Sequence, residues 1–503
     1  MTKLARPTRH SGGKNNISPI LVLVLSERSE RNRGHRTQTF ARKWEKFDFS
    51  FPESDGNAIF QHSLLKTIMN NNRRQFIKKS TVFALPIIIP ASARGADGTT
   101  APSNRVTVGA VGWGMQGPSN TQSTMRLGNA AVLAVCDLDK KHLAAAKGAV
   151  DGFYKNTDCA AYADYKELMA RKDIDAVTLA VPDHWHALVA TAAANAGKHI
   201  WGEKPLARTI AEQQAIVKAV EANKVTWQTG SWQRSVDNFT KAVELVRGGY
   251  IGEIKEVQVG LPAGHNDFAG TMDKNTVTTP PADLDYEKWV GPSGMVDYIE
   301  ARVHKNWRWH YNFGGGQLLD WVGHHVDIAH WGLDMDNGGP SSVECQGEFP
   351  DPGAMWNTCT KYRGELQYPK GIKMTLAGGH KDIAGGTKWI GSEGWIYVNR
   401  GAFDASNAAW KGFRVLPDDM RKAEVYRSTN HFKNWIDSAI AKKPTITPVQ
   451  TAHHSAIPGH LCLISMLTKS RIQWDQAKQE IIGNPEATKL LTRSYRAPYQ
   501  MPV

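Results

Sequence analysis

Cysteine is scarce in this chain of 503 residues, with five in all: Cys136, Cys159, Cys345, Cys359 and Cys462. None stands in a C-x-x-C pair, which excludes the common zinc and thioredoxin-like motifs. Cys345 and Cys359 fall on adjacent expected strands and could pair, but buried free thiols are the expectation for all five. A long hydrophobic run is also missing from residues 1–68. The stretch Ile20–Leu25 is too short to cross a bilayer, and no stable membrane anchor is expected. A basic body is missing as well. The formal charge is +13, but residues 1–93 hold 16 Lys/Arg against 6 Asp/Glu, which leaves +3 on the remainder. No electrostatic footprint for nucleic acid remains there. Internal repeats are absent.

What is present is a chain with 41% apolar residues, enough for two or more cored domains. Residues 1–68, rich in Arg, Ser and Asn, carry no periodic pattern and are expected to be disordered. Then follows Arg73-Arg74-Gln-Phe-Ile, an apolar stretch Val82–Pro90 and the small residues Ala91-Ser-Ala93. This order resembles a twin-arginine signal, which exports folded protein, so a periplasmic or secreted location is expected. Such signals stand at the start of a protein. Translation is therefore expected to begin at Met69, with 69–93 the signal and 1–68 an over-extended reading frame.

From Arg105 the texture is strand–helix, repeated. An apolar strand runs into Gly112-Trp-Gly114-Met115-Gln116-Gly117, a G-x-G-x-x-G turn. In that pattern the first glycine makes the tight turn, the second lets main-chain N–H groups approach a pyrophosphate, and the third lets the following helix pack on the strand. A second strand, Ala131–Cys136, ends in Asp137, where a ribose-binding carboxylate belongs. Helices are expected at Tyr165–Arg171, up to Asn195 with Asp183 as N-cap, and at Thr209–Asn223. Strands are expected at Ile174–Val181, His199–Gly202 and Val225–Thr229. The sum is a doubly wound parallel unit over residues 104–230. Residues 231–503 read differently, with a helix Val236–Arg247 and alternating strands Glu253–Val259, Ser342–Gly347, Thr358–Gln367 and Ile372–Ala377. Helices near Phe432–Ala441 and Val449–Lys469 close the chain. Alternation predicts an antiparallel sheet with one covered face.

Three constellations could carry chemistry. Glu203-Lys204-Pro205 follows a parallel strand at its carboxyl end, where open α/β sheets bind ligands, and a Lys there can hydrogen-bond a reacting oxygen. A solvated lysine before a proline turn is the plainer alternative. The second is Gly314-Gly-Gly-Gln-Leu-Leu-Asp320-Trp-Val-Gly-His324-His325-Val-Asp327-Ile-Ala-His330. On a helix Asp320, His324 and Asp327 would share one face, and a carboxylate-held His is a usual general base. A satisfied buried His is one alternative, and a divalent metal on Asp320, His324, Asp327 or His330 another; no metal is the expectation. The third is Trp307-Arg308-Trp309-His310-Tyr311, aromatics interleaved with bases, suited to the faces and hydroxyls of a polyol or equally to a core with a polar rim.

Taken in order, G-x-G-x-x-G, the acid, Pro182-x-x-x-His186, Glu-Lys-Pro and Asp320-x-x-x-His324 resemble the glucose–fructose oxidoreductase / inositol dehydrogenase (Gfo/Idh/MocA) family over roughly residues 104–503. The resemblance implies an N-terminal Rossmann domain and a C-terminal α/β domain with a large, mostly antiparallel sheet that carries the substrate pocket. A homo-oligomer is implied too. It makes Lys204, Asp320 and His324 catalytic: His324 takes a hydroxyl proton, Lys204 polarises the oxygen, and Asp320 orients the His or shares the proton path. It sets Gly112, Gly114, Met115, Gln116, Gly117, Asp137, Pro182, His186, Glu203 and Lys204 around the cofactor. Trp307, Arg308, Tyr311 and His325 are expected at a sugar or polyol substrate. Asp137 favours NAD over NADP, since a carboxylate bonds a free ribose 2′-hydroxyl and repels a 2′-phosphate. One local departure stands out: relatives often place the glycine two residues after the Asp, whereas Gly323 is three after. The implied activity is hydride transfer between NAD(H) and a sugar, cyclitol or derivative. Export would require tight cofactor binding and recycling on the enzyme, as in a sugar–sugar oxidoreductase or an NAD-dependent glycosidase or lyase. A non-catalytic sugar-binding protein on the same fold is the remaining alternative.

Overall fold

The computed structural model describes residues 104–351 and 353–503. The expected leader at 69–93 and the segment 1–68 lie outside the described residues.

Six short strands form the first sheet: β1 (Val106–Val111), β2 (Ala130–Cys136), β3 (Ala160–Tyr162), β4 (Ala176–Leu179), β5 (His199–Gly202) and β6 (Trp227–Thr229). All neighbours are parallel, in the order β3-β2-β1-β4-β5-β6. Val108, Ala134, Val135, Val177 and Ile200 are buried, as both-face coverage by helices requires. The order reverses between β1 and β4, so a crevice opens at the carboxyl ends of these strands. Asp139 caps the helix Lys140–Tyr154, its side chain accepting from the Lys141 and His142 N–H groups. Thr209 caps Ile210–Ala222 in the same way. The expected Asp183 cap is not made. Residues Asp183–Trp185 wind a 3-10 turn, and the helix His186–Asn195 starts after it with no side-chain cap. Asp183 is instead buried beneath the crevice.

The second sheet has nine strands: β7 (Ile254–Leu261), β8 (Ser342–Glu348), β9 (Lys361–Gln367), β10 (Lys373–Gly378), β11 (Gly386–Gly391), β12 (Trp395–Asn399), β13 (Ala402–Ala405), β14 (Ile472–Asp475) and β15 (Glu480–Ile482). Their order is β13-β12-β11-β7-β10-β9-β8-β14-β15, antiparallel except for β7 beside β10. Helices Asp237–Arg247, Asp327–Leu333 and Val449–Thr468 cover one face. Phe239, Val243, Ile328 and Leu461 share a core there with Val257, Leu366, Leu376 and Trp389.

The last strand of the first sheet ends at Thr229 and the first of the second begins at Ile254, but later residues pack back onto the first sheet. Residues 431–452 return to the first sheet. The Phe432 ring stacks on Trp201 with centroids 3.7 Å apart, and Trp435 is buried in the same cluster. Gln228 donates to the His431 carbonyl at 3.0 Å and accepts from the Thr447 N–H at 3.1 Å. The distant segment shields the outer edge at β6, which would otherwise be open. All five cysteines are free and buried. Cys359 lies against the Met466 sulfur at 3.7 Å and is not bridged to Cys345.

Candidate active site

The glycine turn after β1 is built by collision avoidance. A side chain on Gly112, which has φ +91°, would come 2.4 Å from the Ala180 carbonyl oxygen, and one on Gly117 would come 2.0 Å from the Gly112 oxygen. A Cβ on Gly114 would meet nothing within 4 Å, so the second glycine faces open space. Asp137 is fixed at the end of β2. Its carboxylate accepts the Trp113 N–H at 2.7 Å and the Asp139 N–H at 2.9 Å. Burial pushes this carboxyl above its usual value, and those two N–H groups oppose the push.

A cavity of about 300 Å³ runs along these residues. Gly112, Gly114, Met115, Gln116 and Asp137 line one end, and Pro182, His186, Glu203 and Lys204 continue toward the other; Gly117 sits behind the turn, off the wall. The roof comes from the second half of the chain. Asp283 accepts the Lys140 N–H at 2.9 Å, the Trp289 carbonyl accepts the Trp185 indole at 2.9 Å, and Tyr499 meets Trp185 edge-on at 5.3 Å. Beside Asp137 two imidazoles meet, His142 and His304, with ring centres 4.7 Å apart. His304 is 3.5 Å from Asp139, and the ligand-capable atoms of Asp139, His142 and His304 lie within 4.8 Å of one another. A dinucleotide fits this cradle: open space at Gly114, a helix N-terminus behind it, and a fixed carboxylate, Asp137, in the same wall.

At the far end, β5 delivers Glu203-Lys204-Pro205. Glu203 Oε1 accepts from Asn120 at 2.8 Å and from the Trp201 indole at 3.2 Å. Both ring nitrogens of His186 meet main-chain carbonyls, of Pro205 at 2.8 Å and of Val181 at 2.9 Å. Glu203 and His186 thus hold the turn that aims Lys204. The Lys204 ammonium donates to the Asp320 main-chain oxygen at 2.9 Å and to Asp320 Oδ1 at 3.0 Å, and Arg308 Nε reaches the same Oδ1 at 3.1 Å. Burial alone would raise the Asp320 carboxyl, but Lys204 and Arg308 outweigh it and hold the group below the usual carboxylate value.

Asp320 is the next-to-last residue of the α-helical segment Gly316–Trp321, and a π-helical turn, Val322–Val326, follows before α-helix resumes at Asp327. One π turn rotates everything after it by about 100° relative to a continuous α-helix. The common face expected for Asp320, His324 and Asp327 is therefore not formed. Asp327 turns to the buried Arg234, with both carboxylate oxygens 2.8 Å from its guanidinium, and His330 meets the Tyr368 hydroxyl at 2.8 Å. The residues of the metal alternative are dispersed in this way. The out-of-place glycine falls inside the π turn, where a Cβ on Gly323 would come 2.7 Å from Lys204 Cβ.

His324 is 5% exposed, and its buried Nδ1 has no hydrogen-bond partner. Asp320 does not hold it, contrary to expectation, because that carboxylate is taken by Lys204 and Arg308. Burial, with Lys204 and Arg400 next, pushes the imidazole well below its ordinary value, so the ring is neutral and able to accept a proton.

The other expected substrate residues separate. Trp307 and Arg308 line the cavity, the guanidinium 4.3 Å over the indole. His325 is buried behind the site, 3.3 Å from Gln233 and 5.3 Å from the Trp321 ring. Tyr311 is not at this site. It lines a second cavity with Arg208 and His460, its ring under the Arg208 guanidinium at 4.2 Å. Consecutive residues of the 3-10 turn His304–Trp309 and the bend after it point different ways, which the interleaved pattern could not separate. Two residues were not read from the sequence as belonging to the site. Asp183 is buried against this end of the cavity and pushed up to about 6 by burial, with His186 and Arg308 opposing. Arg400, at the tip of the β12–β13 hairpin, reaches toward His324; the turn residue Gly401 with φ +73° was the available local signal.

Residues 106–231 match the Gfo/Idh/MocA oxidoreductase family, NAD-binding Rossmann fold, and residues 236–501 match that family's C-terminal alpha/beta domain. A glycosyl hydrolase family 109 protein 2 of Shewanella sp. (strain ANA-3) is 33% identical over 170 residues, 30% of this chain and 37% of that protein. The levoglucosan dehydrogenase of Pseudarthrobacter phenanthrenivorans is 32% identical over 142 residues, 28% of this chain and 34% of that protein. The matched stretch thus spans little more than a third of these relatives' length. Among solved structures, an aldose-aldose oxidoreductase from Caulobacter crescentus complexed with glycerol superposes with a TM-score of 0.53 at 16% identity, over 73% of this chain and 99% of that one. At that identity the likeness is one of fold.

Proposed function

The chain belongs to the Gfo/Idh/MocA oxidoreductase family, and on that premise we propose that it moves hydride between a C–OH carbon of a sugar, cyclitol or derivative and tightly held NAD(H). The observation that carries this reading is the arrangement of Lys204, a residue of the cavity wall, on Asp320, with neutral His324 on the π turn that follows Asp320. Bound NAD would supply a two-electron acceptor. The chain does the rest. Lys204 donates a hydrogen bond to the substrate oxygen and stabilises charge building there. His324 takes the hydroxyl proton, since its Nδ1 has no protein partner; burial weakens the ring as a base, so the acceptance depends on Lys204 stabilising the oxygen as the proton leaves. Asp320 fixes the ammonium from both its main chain and its carboxylate, and Arg308 locks that carboxylate. Asp137 favours NAD over NADP.

The experiment is to denature the purified protein, identify the released nucleotide by mass, and screen sugars for reduction of the bound form. Release of NAD and substrate-dependent absorbance at 340 nm support the reading. A protein that binds no nicotinamide nucleotide overturns it.

A second reading is a redox-cycling glycosidase, in which transient oxidation at one carbon permits cleavage at its neighbour and the cofactor is regenerated in place. Two observations favour it: a partial match to a protein named as a family 109 glycosyl hydrolase, and a cavity covered by Lys288, Trp289, Pro498 and Tyr499. The Arg73-Arg74 leader fits the same picture, since a protein folded and loaded before export must keep its cofactor. Released aglycone without net change in oxidation state selects this reading over simple oxidation.

A further inference from the structure

Beyond the reacting end, the Arg400 guanidinium makes no ion pair among the described residues, and the Asp320 carboxylate acts on it only from beyond ion-pair range. Arg400 stands at the tip of the two-residue turn between β12 and β13, and Asn238 pins that hairpin by donating to the Asn399 carbonyl at 2.8 Å and the Ala402 carbonyl at 3.1 Å. The guanidinium carbon lies 4.8 Å from the Trp232 ring centre and 4.5 Å from that of Trp321. Nε donates to Gln233 Oε1 at 3.1 Å. Two indoles and one amide therefore hold the group, while its two terminal amino groups have no hydrogen-bond partner and no carboxylate in ion-pair range among the described residues. Arg400 is exposed, Trp232 is 39% exposed, and Trp321 also packs at 5.3 Å on His324. A solvent-facing, braced arginine thus stands one indole away from the proposed base.

The local pairing points the same way. Lys204 and Arg308 already share the Asp320 carboxylate, which leaves Arg400 without a carboxylate in ion-pair range at a corner whose histidines, His324 and His325, are neutral. An arginine with packed faces presents only its planar edge, and that edge matches two oxygens of one anionic group. A neutral polyol would need no such cation, for hydroxyls are served as well by amides and indoles.

We infer that the substrate carries an anionic group, a carboxylate or a sulfate, seated on the free edge of Arg400 while its reacting hydroxyl lies between Lys204 and His324. This rests on the reading of Lys204 and His324 as the reacting pair, and it narrows the substrate class from sugars to acidic sugars.

The test uses the purified protein with its bound cofactor and a panel of matched pairs: glucose with glucuronate, galactose with galacturonate, N-acetylglucosamine with its 6-sulfate. Affinity is read by calorimetry. At least one acidic member is expected to bind about 10-fold or more tightly than its neutral twin. Arg400→Gln should bring that ratio near one, with the melting temperature lowered by no more than a few degrees from the lost indole contacts. In the unaltered protein the same preference should shrink as NaCl rises. The uronate arms against the sulfate arm tell which anion is meant. A panel in which no acidic member outbinds its twin overturns the inference, as does a preference that survives both Arg400→Gln and high salt. Reduction of the bound cofactor by neutral sugars alone would remove this inference and leave the oxidoreductase reading standing. Acid-selective binding without cofactor chemistry would do the reverse.

Discussion

The Lys204 ammonium is held twice by one residue, Asp320, through the main-chain oxygen at 2.9 Å and the carboxylate at 3.0 Å. The two residues come from different sheets' neighbourhoods, one following β5 and one near the end of a helix of the second half, so this contact joins the nucleotide fold to the substrate fold. Removing either side has separable consequences. Lys204→Ala removes the donor to the reacting oxygen and should lower kcat by about 10² to 10⁴. Asp320→Asn keeps the main-chain contact and the shape while loosening the ammonium, so its loss should be smaller than that of Lys204→Ala. Single-turnover rates at saturating sugar order the two.

The buried imidazoles set a pH dependence. His324 is held well below its ordinary value, so the proton acceptor stays neutral through the mildly acidic range, and kcat/KM should not fall between pH 8 and 6.5 on its account. Stability behaves differently. His184, His330 and His460 are pushed down to about 3, and His431 and His453 to about 4, in each case by burial first. Unfolded, these rings take up protons near 6.5; folded, they do not until far lower. The stability they lend is complete above about 6.5 and drains away as pH falls toward 3–4. Asp183 and Asp327, both raised to about 6, work in the opposite sense, adding stability as pH drops from 6 toward 4. Five histidines outweigh two acids, so the melting temperature should fall by several degrees from pH 7 to pH 5. A midpoint that is flat or rises over that interval would show the rings are not buried neutral.

Asp137 bears on the choice of nucleotide. Its carboxylate is fixed by the Trp113 and Asp139 N–H groups, leaving its remaining acceptor capacity for a ribose hydroxyl. Asp137→Ser should weaken NAD binding by roughly 10- to 100-fold, the worth of a charged hydrogen bond. Because it also removes the repulsion against a 2′-phosphate, the NAD/NADP affinity ratio should fall further than NAD affinity alone accounts for in other pocket variants. Titration of the cofactor-stripped protein with both nucleotides measures this.

Gly323 separates stability from activity. In a helix interior, alanine in place of glycine gains up to about 1 kcal/mol of propensity. Here the added Cβ would lie 2.7 Å from Lys204 Cβ and 3.3 Å from its Cγ, so the lysine stem must move. Gly323→Ala is expected to melt within a few degrees of the parent while kcat drops by about 10²-fold, the usual effect of displacing a catalytic group by about an ångström. Equal rates would mean the stem has room to spare.

These contrasts mark what could be read in the chain alone. Gly112, Gly117, Asp137 and Lys204 were legible because their requirements are local: a turn that a Cβ would block, an acid at the end of β2, a lysine at the end of β5. The expected strands and helices likewise matched the structure to within a few residues, since burial on one or both faces writes its period directly into the sequence. The helix phase after Asp320 was not legible. A π turn has no periodic signature of its own, and the misplaced Gly323 was its only trace. Asp320's true partners were hidden for the same reason as Arg400 and the Asp139–His142–His304 corner. Each includes at least one contact between residues over a hundred positions apart, brought together by the fold rather than by spacing. Tyr311 failed in the other direction, being near its neighbours in sequence and far from them in function.

The account's central claim is that Lys204 governs electron transfer between substrate and a nicotinamide nucleotide held in the cavity beside it. It is tested most directly by following absorbance at 340 nm after mixing the purified protein, with its own bound nucleotide, against a sugar panel that includes acidic members. The unaltered protein should show a stoichiometric rise with at least one sugar, and Lys204→Ala with the same nucleotide content should show almost none over the same time. A rise of equal rate in Lys204→Ala, or no rise with any sugar in a protein shown to carry NAD, would contradict it.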